Sequence, residues 1–392
     1  MEGWETVKLA DICNVNYGES PARILSDEGN IPVIGTGGTE RLGTDFLYEG
    51  ESIIIGRKGT IDNPLYVNGK FWSIDTTYYL TNFQDIDVKW LFYFLKTIDF
   101  NLLNEATGVP SLSREALYRI KIGKPKFLPE QTAIARILST VDKAIEKTER
   151  LIAKYQRIKT GLIHDLLTRG IDEHGRIRSE ATHRFKDSPL GRIPEEWKIV
   201  RLKDCAKFLD NRRRPIKEAD RQNMKGEFPY YGASGIIDYI NDFIFDEELI
   251  LLGEDGENIL SRNLPLAFIA KGRYWVNNHA HVIKPNEDMN MGYLCMQLEA
   301  FDYAPLNTSS AQPKITKNKI EEIFIAKPFK DEQDKIAEKL NCIDNYLKTE
   351  INQLSKFLSL KTALMQDLLS GRVRVPTEMI ERVGEAGEVK TA

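Results

Sequence analysis

The feature that most constrains how this chain can fold is an internal duplication. Six segments recur in the same order roughly 200 residues further along the chain, and chance does not produce so many collinear matches. The similarity lies at apolar, glycine and proline positions and in the last segment, and it is poor between them. We therefore expect one scaffold, used twice, that carries two different surfaces. The matched segments are 4–11 with 197–204, 31–35 with 228–232, 53–59 with 250–256, 71–72 with 274–275, 120–125 with 323–328 and 159–167 with 361–369.

The bulk composition is that of a globular protein and leaves the class of partner open. The 392 residues predict two or three domains. The net charge is −4, whereas a simple DNA-binding protein is usually basic. Only the charge of the contacting face matters, however, and a partner protein can supply the rest. We expect neither a signal peptide nor a membrane span. Scattered cysteines indicate reduced thiols in a cytoplasmic protein; they are Cys13, Cys205, Cys295 and Cys342.

Each half of the duplication predicts a mixed module followed by a long helix. Short apolar runs bounded by glycine or charge predict strands at 52–56, 249–253 and 266–270. Aromatic segments predict helices at 88–98 and 291–300. The predicted fold class is therefore α+β, with two mixed α/β modules related by an internal pseudo-two-fold repeat. The predicted divisions are 1–128 for the first module, 129–169 for the first long helix, 170–192 for a polar linker, 193–330 for the second module, 331–370 for the second long helix and 371–392 for a tail.

After each module, apolar residues recur with heptad spacing, which predicts a long amphipathic helix. At 1.5 Å per residue each helix would be on the order of 55–60 Å long. Gly170 and Gly371 follow as candidate C-caps. Two apolar stripes need a partner surface, and we predict that the helices pair antiparallel as a coiled coil; the alternative is that each packs on its own module. The predicted helix-pair interface comprises Ile134, Leu138, Val141, Ile145, Ile152, Ile336, Leu340, Ile343, Leu347 and Leu354.

No residue pattern in the chain predicts catalysis. The glycine-bounded turn at 56–60 lacks the spacing of a phosphate-binding loop, and its counterpart at 253–256 is acidic. We interpret the turn as a tight connection between strands. The alternative is a turn that presents Arg57, Lys58 and Thr60 to DNA.

Two histidines are the nearest approach to a metal site. His279 and His281 alternate on a predicted strand and so share one of its faces. No third ligand lies near them in the sequence. A satisfied pair on the strand or a DNA contact is therefore favoured over a metal site.

The densest positive charge is the segment 211–217 (NRRRPIK), continued by Arg221 and Lys225. Arginine forks match the geometry of phosphate and of guanine, so we interpret the segment as a DNA-contacting loop; the alternative is a solvated loop. Its counterpart at 17–23 is much less basic. If both are recognition loops, they recognise different things.

Taken in order, these features resemble the specificity subunits of type I restriction–modification systems. The chain departs from that family's pattern at the start of the first module, which lacks a Gly-x-Ile-Pro lead, and at the second helix, which begins without proline. The turn of the second module is also acidic. The resemblance rests on GRIPEEW at 191–197, GRKGT at 56–60, TGVPSLS at 107–113, PEQTAI at 129–134 and the helix end at 159–167.

The resemblance implies a non-catalytic, sequence-specific DNA-recognition subunit. Each module would be a target recognition domain for one half of a bipartite, asymmetric double-stranded DNA sequence. The helix pair would set the spacing of the half-sites and dock two methyltransferase (modification) subunits, and restriction/translocase subunits would complete the complex. S-adenosylmethionine, ATP and Mg would then belong to those partner subunits, with no cofactor or metal in this chain.

Two rival hypotheses are an assembly scaffold that binds only proteins and a stand-alone nuclease or transferase. Charge and loop placement supply candidate DNA contacts in both modules. These are Arg23, Arg41, Arg57, Lys58, Lys70 and Thr76 in the first module, and Arg212, Arg213, Arg214, Lys217, Arg273, His279 and Lys314 in the second.

Overall fold

Apolar runs of the first module form a six-stranded sheet in the computed structural model, which describes residues 3–307 and 312–388. The module has eight strands, six of them in that sheet: β1 (Trp4–Lys8), β2 (Asn14–Tyr17), β3 (Ile31–Gly35), β4 (Gly38–Gly43), β5 (Tyr48–Gly56), β6 (Leu65–Ser73), β7 (Thr77–Thr81) and β8 (Lys121–Pro125). The sheet order is β2-β7-β5-β6-β3-β4, and β1 and β8 form a separate antiparallel pair. Strands β3 and β6 run parallel to each other.

Three short helices complete this module: α1 (Leu9–Ile12), α2 (Val88–Leu95) and α3 (Arg114–Tyr118). Helix α2 begins where the Asp87 carboxylate accepts a hydrogen bond from the Trp90 amide at 2.9 Å, which satisfies a donor that the helix leaves unpaired. Trp90 is fully buried in a core with Ile53 and Leu80. The predicted aromatic helix thus packs its bulkiest side chain against the sheet.

The first long helix, α4, is Leu128–Thr168, against a predicted 129–169. It is followed by Gly170, whose φ of 62° is the left-handed conformation expected of a C-cap glycine. The predicted linker at 170–192 contains regular structure, because its last residues form most of an antiparallel hairpin of β9 (Phe185–Ser188) and β10 (Gly191–Pro194). The turn closes because the Ser188 hydroxyl donates to the Gly191 carbonyl at 2.6 Å.

The second module repeats the strand order of the first in two sheets. Its strands are β11 (Lys198–Arg201), β12 (Ala206–Phe208), β13 (Lys225–Gly232), β14 (Gly235–Ile240), β15 (Phe245–Asp246), β16 (Leu249–Gly253), β17 (Ala267–Ala270), β18 (Arg273–Val276), β19 (Ala280–Pro285) and β20 (Phe324–Lys327). The sheets are β12-β19-β16-β17 and β14-β13-β18-β15. They separate where Gly272, with φ of 72°, interrupts the chain between β17 and β18, whereas β6 continues through Gly69.

Three short helices occupy the places of α1, α2 and α3: α5 (Leu202–Cys205), α8 (Met291–Ala300) and α9 (Lys317–Glu321). Two others, α6 (Glu218–Gln222) and α7 (Asn258–Ser261), have no counterpart among the described helices of the first module. The second long helix, α10, is Lys330–Leu368, against a predicted 331–370, and α11 (Thr377–Glu388) lies in the predicted tail. None of the helices in the described part of the chain is both long and apolar enough to cross a membrane.

The long helices pair antiparallel, as predicted, and each of the two compact units of the chain contains part of both. The first unit is Met1–Arg150 with Ile351–Ala392, and the second is Leu151–Glu350. In the second unit, Tyr155 stacks on Tyr346 with ring centroids 5.8 Å apart. There Lys159 pairs with Asp344 at 2.5 Å. Residue numbers therefore rise along α4 as they fall along α10.

The same helices also pack on their own modules, so the two predicted arrangements occur together. Ile134 and Leu138 lie in the core of the first module, which Leu368 of α10 also enters. In the second unit, Ile336 and Leu340 lie in one core with Leu166 of α4. Of the predicted interface, Ile134, Leu138, Val141, Ile145, Ile336, Leu340 and Leu347 are buried, whereas Ile152, Ile343 and Leu354 are half-buried.

The glutamine at the start of each long helix performs the same task twice. Gln131 accepts from the Asp87 amide at 2.9 Å and donates to the Pro125 carbonyl at 2.8 Å. Gln333 accepts from the Asn290 amide at 2.8 Å and donates to the Pro328 carbonyl at 2.9 Å. Both glutamines are fully buried. Each one ties its long helix to the strand and short helix of its own module.

Candidate nucleic-acid interface

The glycine-bounded turn after β5 is a rigid feature that recurs after β16. In the first module, the Arg57 amide donates to the Thr76 carbonyl at 2.8 Å and the Gly59 amide to the Pro110 carbonyl at 3.0 Å. In the second, the Glu254 amide donates to His279 at 2.9 Å and the Gly256 amide to Pro313 at 3.0 Å. Strand β5 ends at Gly56 and β6 begins only at Leu65, so the segment is a longer connection than the tight strand-to-strand turn that the sequence predicts, and the hydrogen bonds that hold it are the same in both modules.

Glycine is required at the start of the first turn. A β-carbon on Gly56 would stand 1.9 Å from the Thr60 carbonyl oxygen, and Gly59 has a φ of 87°, which favours glycine. The turn therefore brings two backbone segments closer together than any side chain at 56 would allow.

In the first module this turn presents a cationic and aromatic cluster. The Arg57 guanidinium lies 5.2 Å from the centroid of the Tyr17 ring and donates to the Asp75 carbonyl at 3.0 Å. Arg114 lies at the same distance from that ring. Lys58 is exposed on the turn. Tyr17 is itself 44% exposed, so the cluster offers π surface and positive charge together.

Sequence reasoning missed Tyr17 and Arg114 as partners of this turn. Tyr17 ends β2, and Arg114 begins α3 just after the segment that binds the turn. The available signal was the alternation of β2, in which Val15 is buried and the side chains on either side of it are not.

The remaining candidates of the first module are dispersed. Arg41 is exposed on β4, Arg23 is exposed in a short turn at 21–23, and Thr76 is half-buried with its carbonyl held by the turn. Lys70 lies opposite Glu49 at the beginning of β5. Gly56 ends the same strand, on the order of 20 Å away at about 3.3 Å per residue. The structure thus separates Lys70 from Arg57 and Lys58.

Lys70 and Arg273 form the same local structure in the two modules. Lys70 pairs with Glu49 at 3.8 Å and lies 4.6 Å from the Phe46 ring centroid. Arg273 pairs with Asp246 at 3.1 Å and lies 4.9 Å from the ring of Phe243. A cluster that both modules share is expected to belong to the scaffold. These two cations therefore rank below the others as candidate DNA contacts.

The triple arginine is not one solvated basic run. Arg212 pairs with Glu247 at 2.9 Å and lies 4.4 Å from the ring centroid of Phe245. Arg213 is largely buried and donates to Glu254 at 2.7 Å and to the Ala280 carbonyl at 2.9 Å. Both guanidiniums therefore have partners within the module, although the Arg212 side chain is 41% exposed.

Arg214 and Lys217 are exposed, as is Arg212, but unlike Arg212 neither of them forms an ion pair with a described residue. The backbone of Arg214 is held, because its carbonyl accepts from the Trp275 indole at 2.6 Å. Its guanidinium makes no hydrogen bond or ion pair to any residue that the structure describes. The loop thus fixes the main chain at Arg214 and directs one arginine outwards.

The charges after this loop are neutralised locally. Asp238 on β14 accepts from Lys225 at 2.7 Å and from Arg221 at 3.1 Å. The ammonium of Lys225, followed by the Tyr239 amide, lowers the pKa of Asp238 to about 2. Beside this cluster, hairpin β13–β14 exposes apolar side chains that sequence reasoning missed: Ile236, Ile237 and Tyr239.

Of the two histidines, His281 lies on β19 and His279 just before it, and their surroundings differ. His279 is half-exposed, and its Nδ1 lies 2.8 Å from Asp255. His281 is buried and is bound to Asp210 and to the Ile315 carbonyl. Lys314 pairs with Glu254 at 3.2 Å. Each histidine is thus paired with a carboxylate, and the described residues contain no cluster of three or more histidine, cysteine and carboxylate side chains that could hold a metal ion.

Equivalent positions of the two turns carry different chemistry on one frame. Tyr17, Arg57 and Tyr78 in the first module correspond to Asp210, Glu254 and His281 in the second, as the shared strand pairings and turn hydrogen bonds show. The first set is neutral or positive. The second is a network of acids and bases.

The sequence matches a family described as the type I restriction modification DNA specificity domain, over residues 1–154 and again over 194–356. A type I restriction enzyme specificity subunit from Methanocaldococcus jannaschii, MjaVIII, is 26% identical over 420 aligned residues, which cover 95% of this chain and 94% of that protein. A putative specificity subunit from Haemophilus influenzae is 33% identical over 148 residues, 38% of this chain and 37% of that protein.

Among solved structures, the S subunit of a type I restriction–modification system from M. genitalium superimposes with a TM-score of 0.72. The match has 17% sequence identity and covers 93% of this chain and 96% of that one. At this identity the likeness concerns the fold, and it spans both modules and both long helices.

Proposed function

The chain belongs to the family of type I restriction–modification DNA specificity subunits, and from this premise we propose that its two modules read the two halves of a bipartite, asymmetric DNA target. Its function is sequence-specific DNA recognition, and a specificity subunit has a non-catalytic role. The rival hypothesis of a scaffold that binds only proteins is not favoured by this family.

The observation that carries the proposal is the pair of turns at 56–59 and 253–256. The same backbone hydrogen bonds hold both turns, yet one presents Arg57 over Tyr17 and the other presents acids paired with bases. Phosphate contacts position a protein on DNA, whereas side chains at base edges specify the sequence. One frame with two sets of side chains suits a target whose halves differ.

Exposed cations of the two modules are the proposed phosphate or base contacts. In the first module they are Arg23, Arg41 and Lys58, together with Arg57 on the Tyr17 ring. In the second they are Arg214 and Lys217, flanked by Arg212, His279 and Lys314. Aliphatic side chains on hairpin β13–β14 would suit contact with thymine methyl groups.

The long helices are the proposed spacer and docking surface. An antiparallel pair of helices is stiffer than a polar linker and can fix the interval between half-sites. We further propose that its outer faces bind two methyltransferase subunits, and that restriction/translocase subunits join the same complex. S-adenosylmethionine, ATP and Mg would be bound by those subunits.

The test is the methylation pattern of a host that expresses the chain with its methyltransferase subunits. A bipartite methylated motif is expected, and exchange of residues 14–125 for those of another specificity subunit should change one half of it. Fluorescence anisotropy with random and target duplexes at low salt then compares binding with and without the methyltransferase subunits. Absence of binding to every duplex in both cases would exclude the proposed function.

A further inference from the structure

Hairpins β3–β4 and β13–β14 have the same backbone, including the same irregularity near the turn. In each, a shift of register leaves one residue of the second strand without a partner opposite it, Glu40 on β4 and Ile237 on β14. A β-carbon on Gly232 would stand 3.1 Å from Ile237 Cγ2, and one on Gly35 would overlap the Glu40 carboxylate. A bulge of this kind bends a strand and re-aims a side chain. Glu40 and Ile237 are therefore equivalent positions that carry different chemistry.

The tip of hairpin β13–β14 lies beside the glycine-bounded turn of the second module. A β-carbon on Gly253, where that turn begins, would stand 2.6 Å from the Ala233 carbonyl oxygen at the hairpin tip. The Tyr231 carbonyl accepts from the Asn277 amide at 3.1 Å, and the chain continues from there to the segment that binds the turn. The hairpin and the turn therefore share one edge of the module.

The first module repeats this connection. The Ile74 amide donates to the Ile34 carbonyl at 3.1 Å, and two residues later the Thr76 carbonyl accepts from the Arg57 amide at 2.8 Å. Hairpin β3–β4 is thereby fastened to the chain that holds the turn at 56–59. In both modules, a bulged hairpin accompanies the turn that carries the proposed function.

The second strand of each hairpin lies at the edge of its sheet, and the two edges differ in chemistry. Edge strands usually expose charge, which prevents pairing with other chains, and β4 does so with Glu40 and Arg41. Strand β14 instead exposes Ile236, Ile237 and Tyr239, which are 44%, 54% and 50% exposed and belong to none of the cores of the second module. Folding does not require these exposed side chains, so they form a contact surface.

A row of residues across the second sheet leads from this surface to Arg214. Ile236 pairs with Tyr231, Tyr231 pairs with Val276, and the Val276 carbonyl accepts from the Arg214 amide at 3.3 Å. Three strand spacings separate Ile236 from Arg214, on the order of 14 Å. The major groove of DNA is about 12 Å wide and admits a two-stranded ribbon. The hairpin therefore fits the groove with Arg214 near the phosphates on its rim.

The two bulged side chains suit different bases. In the major groove, thymine presents its C5-methyl group and cytosine presents the N4 amino group. The Ile237 side chain has no hydrogen-bonding atom, so the methyl group is the feature that it matches. Glu40 is exposed and its carboxylate forms no ion pair with a described residue, which leaves it available to accept from an amino group.

We infer that the bulged residue of each hairpin is a specificity-determining residue: Ile237 selects thymine through its methyl group, and Glu40 selects cytosine through its amino group. This inference rests on the proposed function and adds which side chains read bases and which base each of them selects. The cations of the turns and of the arginine loop then position the duplex.

Uracil lacks the methyl group of thymine and tests the contact of Ile237 directly. The full chain is assembled with its methyltransferase subunits, and fluorescence anisotropy is measured on target duplexes in which each thymine of the second half-site is replaced in turn by uracil. One replacement is expected to weaken binding about fourfold, as for one buried methylene group. Ile237→Ala should lose this response. The control is Leu264→Ala, which shortens a leucine of the same module outside the hairpin that is 53% exposed and should keep it.

Exchange of the two bulged residues tests the assignment of bases. Ile237→Glu should change one thymine of the second half-site to cytosine, and Glu40→Ile should change one cytosine of the first half-site to thymine. The methylated motif of a host that expresses each variant shows the change, and anisotropy should favour the new base by about fivefold or more. Because both side chains are exposed, the melting temperature of each variant should match that of the wild type.

The results distinguish this inference from the proposed function. A second half-site without an A·T pair, a uracil response that persists in Ile237→Ala, or unchanged motifs after the exchange would overturn the inference and leave the proposed function in place. Impaired subunit assembly in Ile237→Glu with an unchanged motif would assign the hairpin to a protein partner and also overturn it. Absence of binding to every duplex would overturn both.

Discussion

Glu332→Ala is expected to destabilise the second unit more than Glu130→Ala destabilises the first, although the two residues are repeat counterparts. Glu332 accepts two bonds from Arg178, at 2.5 and 3.1 Å, one from the Ile171 amide at 3.0 Å and one from the Trp197 indole at 3.2 Å. Glu130 accepts two from Arg374, at 2.6 and 2.8 Å. In each unit, the segment that follows one long helix is thereby fastened to the start of the other.

The expected magnitudes differ because the arginines differ in exposure. The side chain of Arg178 is 9% exposed and that of Arg374 is 47% exposed. Removing one partner of a buried pair costs about 3–5 kcal/mol. Arg178 keeps a contact with Glu196 at 2.9 Å, which places Glu332→Ala near the lower end, at about 3 kcal/mol. Water can hydrate Arg374, so Glu130→Ala should cost only about 1–2 kcal/mol.

The assay is urea denaturation of the full chain combined with hydrogen exchange of peptides 171–178 and 371–375, which separates the two units. Glu332→Gln and Glu130→Gln are matched controls that keep the side-chain volume. Equal losses for the two alanine variants, or a larger loss for Glu130→Ala, would refute the reasoning from exposure.

Three further predictions concern the arginine loop of the second module, the pair of long helices and hairpin β13–β14. Arg214→Ala should weaken DNA binding, reduce the slope of log binding constant against log salt concentration by about one, and leave the melting temperature unchanged. Arg213→Ala should instead lower the melting temperature of the second unit. An unchanged slope in Arg214→Ala would contradict its role. Leu340→Asp should destabilise the second unit by about 3–5 kcal/mol and impair subunit assembly, and unaltered melting and assembly would refute the pairing of α4 with α10. The pKa of Asp238 is lowered to about 2 from its ordinary 3.8, so its charge stabilises hairpin β13–β14 above pH 3.8 and this contribution is lost as the pH falls towards 2. Amide exchange of 228–240 should therefore be faster in Asp238→Asn than in the wild type at pH 7, and the difference should shrink below pH 4. A difference that stays constant with pH would count against the ion pairs.

The scaffold was predictable from sequence because apolar spacing survives where surface side chains differ. The heptad pattern that includes Ile134, Leu138, Ile336 and Leu340 predicts the helices, and the same residues are buried in the two module cores. The pattern could not show that these residues serve both the helix pair and the module. An apolar stripe predicts which face of a helix is buried, but it does not predict how many other elements pack against that face.

The candidate site was harder to predict, because a sequence shows charges without their partners. Lys70 and Arg273 are matched with acids on neighbouring strands, and Arg213 is matched with Glu254 across the module. The duplication contained part of this information, since Lys70 and Arg273 occupy equivalent positions and both have an acid opposite. The Arg213 contact is formed only by the fold.

The pairing of cations limits how tightly one module can hold DNA. In the described part of the chain, the guanidiniums of Arg212 and Arg213 are held by acids, which leaves Arg214 and Lys217 as the cations of that loop that pair with no described acid. Each phosphate contact contributes about 0.9 to the salt slope, so a module with few such cations should bind weakly at physiological salt. Two modules joined in one chain raise the affinity through effective concentration. The weak electrostatic binding of each module then favours specificity, because neither half-site alone can retain the protein on DNA. Both half-sites must have the right sequence.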